Sequence, residues 1–101
     1  MKMYGKEVEK LIITADKNRL IENTLGLVGE AGEVAEKIKK VIRDSHFSKE
    51  EVVKELGDVL FYVTALANHI GSDLQTVANN NLKKLHDRNK RNKIQGSGDN
   101  R

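Results

Sequence analysis

The stretch SKEEVVKELGDVLFYVTALANHIG, residues 48–71, decides the fold. Val52, Val53, Leu56, Val59, Leu60, Val63, Leu66, Ala67 and Ile70 recur at helical spacing over more than five turns. Ser48 stands where an N-cap belongs and Glu51 follows three residues on, the pattern of a capping box. Gly71 closes the segment as a residue that tolerates the left-handed conformation. Working outward, Leu27, Ala31, Val34, Ala35, Ile38, Val41 and Ile42 make a second apolar stripe in a segment from about Arg19 to Asp44. Val8, Leu11, Ile12 and Ala15 mark a helix over about 4–17. Ser72 with Gln75 predicts a cap for a fourth helix over about 73–91, with Val77, Ala78, Asn81, Leu82 and Leu85 on one side. No proline interrupts the chain. Four helices with short connectors predict an all-α, four-helix antiparallel bundle.

The chain has 101 residues and a mass of 11.3 kDa. A chain this short buries only about two-thirds of its unfolded surface, which favours association into a homo-oligomer. Cysteine is absent, which excludes a disulfide scaffold, a thiolate metal site and thiol catalysis. No apolar run approaches the ~18 residues of a membrane span, and the first residues read as no signal peptide, so a cytoplasmic protein is expected. Charge is uneven. Residues 83–101 hold seven cations against two acids, or +5, and residues 1–82 hold eleven against thirteen, or −2. A basic end on an acidic body points to an anionic partner such as a phosphate.

Two of the segments echo each other. Glu30-Ala31-Gly32-Glu33-Val34 matches Glu55-Leu56-Gly57-Asp58-Val59 in frame. In each, two acids spaced i, i+3 share a helix face beside the apolar stripe. Counted from the intervening turn, the first pair lies ~19 Å along its helix and the second ~13 Å. Tilt can absorb that mismatch, and Gly32 and Gly57 would let the helices approach. At 4 Å and an effective dielectric of ~20, each like-charged pair costs about 4 kcal/mol, so such a cluster needs protons or cations. All-oxygen donors suit Mg²⁺, with Mn²⁺ as a substitute, and Mg²⁺ commonly shares its site with substrate phosphates.

The strings Gly26-Leu27-Val28-Gly29-Glu30-Ala31-Gly32-Glu33-Val34-Ala35-Glu36 and Glu55-Leu56-Gly57-Asp58-Val59-Leu60-Phe61-Tyr62, with Asn81-Leu82-x-Lys84-Leu85-x-x-Arg88, resemble the MazG-like, all-α nucleoside triphosphate pyrophosphohydrolases over about residues 20–92. The resemblance implies Mg²⁺-dependent hydrolysis of a nucleoside or deoxynucleoside triphosphate to the monophosphate and pyrophosphate. It implies a homodimer or homotetramer in which neighbouring subunits complete each site. It makes Glu30, Glu33, Glu55 and Asp58 the catalytic, metal-ligating acids, with Glu33 the first choice for the proton of the attacking water. Asn81, Lys84 and Arg88 would hold the triphosphate, and Tyr62 would contact sugar or base. Residues 1–92 would form the domain and residues 93–101 a basic Gly/Ser-containing tail. Gly96-Ser97-Gly98 can present backbone N–H groups to phosphate, and with Arg101 the tail is expected to fold over bound nucleotide. His46, His69 and His86 are expected at the surface or an interface. Three rivals remain at this level: a phosphoribosyl-ATP pyrophosphohydrolase-like enzyme, a helical nucleic-acid-binding protein using residues 83–93, and a catalytically silent oligomerisation or nucleotide-sensing module, against which the intact acids argue. Few aromatics and no second recognition element make the nucleic-acid partner the weaker expectation.

Overall fold

A computed structural model describes residues 1–91. Four helices follow in order: α1, Lys2–Leu11; α2, Asp16–Asp44; α3, Lys49–His69; and α4, Leu74–Lys90. The described residues contain no strand. The tail, with Arg101 and its expected closure over nucleotide, lies outside the described residues.

The ends have local causes. α1 stops at Leu11, well short of the expected 17, where Ile12, Ile13 and Thr14 bring three β-branched side chains in a row. The backbone becomes extended at Ile12 and Ala15, and the Thr14 hydroxyl donates to Glu22 Oε2 at 2.8 Å. α2 runs unbroken through Gly26, Gly29 and Gly32. It ends at Ser45, which sits in the left-handed region at φ 51°. Ser48 caps α3 as expected, its Oγ accepting from the Glu51 N–H at 3.3 Å. Gly71 takes φ 84°. The next cap differs from the expectation. Asp73, not Ser72, accepts the Thr76 N–H, at 2.7 Å, because a carboxylate at the N-terminus also gains from the helix dipole.

α2 and α3 form a long antiparallel hairpin, with α1 and α4 packed against α3 and against each other. The backbone of α4 does not approach that of α2 among the described residues. The small core, Val8, Thr64, Ala65, Ala67 and Leu74, therefore sits where α1, α3 and α4 meet. It is pinned by polar groups. Arg19 is buried, pairs with the Glu9 carboxylate and donates to the Ala65 carbonyl at 3.2 Å. Asn68 Nδ2 donates to the Gly5 carbonyl at 3.1 Å. The Arg19 hydrogen bond, ahead of the opposing effect of partial burial, holds the Glu9 carboxyl below its usual value.

The apolar stripes are only partly covered within the chain: Leu27 and Val34 on α2 and Val52, Val59, Val63 and Leu66 on α3 are half-buried. α2 turns Arg19, Gly26 and Glu30 toward α3 and buries Asn23, while Leu20, Ala31, Ile38 and Ile42 are exposed, Ile42 at 89%. On α3, Leu56 is 52% exposed. At about 100° per residue, each stripe is rotated roughly a quarter turn from the line of contact, in the same sense. Because the helices are antiparallel, the uncovered parts of the stripes, Ala31, Ile38 and Ile42 on α2 with Val53 and Leu56 on α3, fall toward one side of the hairpin.

Candidate metal centre

The hairpin closes on the acids. One carboxylate oxygen from each of Glu30, Glu55 and Asp58 lies within 4.8 Å of the other two. Glu30 and Glu55 are half-buried, and Asp58 is exposed. Glu33 is exposed and falls outside this group of three, although its charge still acts on Glu30. The Glu30 carboxyl is raised above its usual value, first by partial desolvation, then by repulsion from Asp58, Glu55 and Glu33. The ensemble is a set of hard oxygen donors that repel one another when ionised. That donor chemistry fits a divalent cation of the Mg²⁺ or Mn²⁺ type.

One turn further along the hairpin, the ring of Tyr62 covers Gly26. A Cβ added at Gly26 would come within 3.0 Å of three ring atoms. Phe61 meets Tyr62 edge-on, ring centroids 5.3 Å apart at 89°. The close approach that glycine permits thus falls at Gly26. Gly32 and Gly57, expected to bring the helices together, have open space around them, because they sit on the outer flank of each acid pair.

The α4 residues are elsewhere. Asn81 is exposed, as are Asn79 and Asn80, so burial does not single it out. Lys84 is half-buried, and Arg88 is 4% exposed. The backbone of α4 stays away from that of α2, and the charges that act on Glu30 are those of Asp58, Glu55 and Glu33. His46 and His86 are exposed, and His69 is half-buried with its charge acting on Glu9. Sequence reasoning missed the buried polar column of Arg19 and Asn23. The spacing of Arg19, Asn23, Gly26 and Glu30, alternating four, three and four, was its signal: one helix face made of polar and small residues.

Among the described residues no helix is long and apolar enough to cross a membrane. Comparison with known proteins agrees with this geometry. A protein from Mycobacterium phage L5 called the Gene 37 protein is 51% identical over 83 residues, covering 77% of this chain and 73% of that protein. No solved structure matches the chain. The family model of the MazG nucleotide pyrophosphohydrolase domain matches residues 19–92, a span that holds all four acids, Tyr62 and the α4 cations. The chain belongs to the MazG nucleotide pyrophosphohydrolase family.

Proposed function

We propose that this protein hydrolyses a nucleoside or deoxynucleoside triphosphate to the monophosphate and pyrophosphate, with Mg²⁺ as its cofactor, among the nucleotides of the cytoplasm. The convergence of Glu30, Glu55 and Asp58 within 4.8 Å carries this reading, together with family membership. Those three side chains would hold the cation, which supplies positive charge against the anionic phosphate oxygens and acidifies the attacking water. Glu33, exposed beside Glu30, would take the proton of that water. Tyr62 would flank the sugar or base, one turn from the acids. Asn81 and Lys84 would hold the triphosphate, adding positive charge where it develops on the leaving pyrophosphate. The burial of Arg88 favours a role in seating α4 over one in holding phosphate.

Because the α4 backbone stays away from that of α2, Asn81 and Lys84 would reach a phosphate chain at Glu30 from another subunit. The shared apolar face of α2 and α3 is the surface on which a second copy would pack, giving a homodimer or homotetramer. Exposed apolar patches of this kind mark interaction surfaces.

A nucleotide panel with Mg²⁺ tests the reading. Pyrophosphate should appear with no orthophosphate, and Glu55→Gln should abolish the release. Turnover of phosphoribosyl-ATP alone would move the substrate to that class. Retention on DNA with no nucleotide turnover would contradict the reading.

A further inference from the structure

The face of α2 that meets α3 carries Arg19, Asn23, Gly26 and Glu30. Three have evident commitments: Arg19 to Glu9 and the Ala65 carbonyl, Gly26 to the Tyr62 ring, and Glu30 to the acid cluster. Asn23 does not. It is 3% exposed, and its Nδ2 has no hydrogen-bond partner. Buried side-chain donors are ordinarily paired, and one left alone loses its hydration without compensation. A buried asparagine that pins helix register does so by pairing across the seam, and Asn23 Nδ2 pairs with nothing there.

Its position supplies a partner. Asn23 lies seven residues before Glu30, two turns or about 10 Å along the same face. Gly26 and Tyr62 lie between them. A nucleotide whose phosphates sit at the carboxylates and which extends along this face places its sugar at the height of Tyr62 and its base at Asn23. We propose that Asn23 determines base specificity, its Nδ2 donating to a keto oxygen of the base, so that keto-bearing bases are favoured over adenine. The assignment rests on the triphosphate reading above. A site built around a hydrogen bond rejects an analogue lacking the matching atom far better than an apolar pocket rejects a change of size.

The test compares kcat/KM for dUTP, dTTP, dCTP and dGTP with that for dATP, using the wild-type chain, Asn23→Leu and Asn23→Ala with Mg²⁺. The wild type should prefer at least one keto-bearing nucleotide over dATP, and both variants should reduce that ratio by about tenfold or more. Asn23→Leu should melt no lower than the wild type, because it removes an unpaired buried donor while keeping the volume. An unchanged ratio in variants that still turn over nucleotide overturns the assignment and leaves the triphosphate reading standing. So does a wild type that prefers dATP or shows no preference, or a fall in melting temperature without a change in ratio. A wild type that hydrolyses none of the panel overturns the triphosphate reading, and the assignment with it.

Discussion

The ring of Tyr62 rests on the backbone of Gly26, one helical turn from the point where Asp58 meets Glu30. As the position on α2 falls by four, its counterpart on α3 rises by four, so both contacts belong to one antiparallel register. Gly26→Ala adds a helix-favouring residue, worth about 1 kcal/mol, but forces its Cβ into the ring. The substitution should lower the melting temperature in the wild-type background and raise it in Tyr62→Ala. A double-mutant cycle by thermal denaturation reads that reversal of sign.

Glu30 gives the site a pH signature. Its folded pKa is raised above 4.5, so the native state binds a proton more tightly than the unfolded chain. Stability is therefore lost as pH rises from 4.5 through the raised value. Glu30→Gln should melt higher than the wild type at pH 7 in metal-free buffer, and the difference should vanish below pH 4.5. Melting curves across pH check both halves.

Glu9 behaves in the opposite sense. Its folded pKa is lowered below 4.5, chiefly by the Arg19 hydrogen bond. The stabilisation it adds is complete above 4.5 and is lost as pH falls through the lowered value. Glu9→Ala strands Arg19, whose side chain is only 10% exposed, and should cost about 1–3 kcal/mol at pH 7. Urea denaturation of the variant at pH 7 and pH 3 should show that penalty shrinking in acid.

Ser45 ends α2 in the left-handed region, at φ 51°. Glycine adopts that conformation without a Cβ clash. Ser45→Gly should stabilise the chain by about 1 kcal/mol, read as a rise in the denaturation midpoint at unchanged slope.

The sequence made the helices legible because their signals are local: the Ser48 cap, the Gly71 stop and the apolar periodicity of α3. The approach of Glu30 to Glu55 and Asp58 was legible from the matched frames, whereas Glu33, expected with them, falls outside the group. What stayed hidden depends on how the helices are rotated. Periodicity locates an apolar stripe but does not say what covers it, so the outward turn of Ile38 and Leu56 was not foreseen. Nor was the separation of α4 from α2, which leaves Asn81 and Lys84 away from the acids. The early end of α1 follows from Ile12, Ile13 and Thr14, whose shared β-branching weighed more than the apolar spacing that continues to Ala15.

The outward apolar face should be the subunit contact. Ile38→Glu or Leu56→Glu places a charge at its centre and should shift sedimentation toward the monomer, with loss of triphosphate hydrolysis. Wild-type chain that sediments as an active monomer would contradict the shared site.

Glu30, Glu55 and Asp58 would together form a socket for a divalent cation. Mn²⁺ affinity, measured by electron paramagnetic resonance with a non-hydrolysable triphosphate present, tests it most directly. Glu55→Gln and Asp58→Asn should each weaken binding by about tenfold or more while circular dichroism shows the helices intact. Equal Mn²⁺ affinity in the wild type and both variants would contradict it.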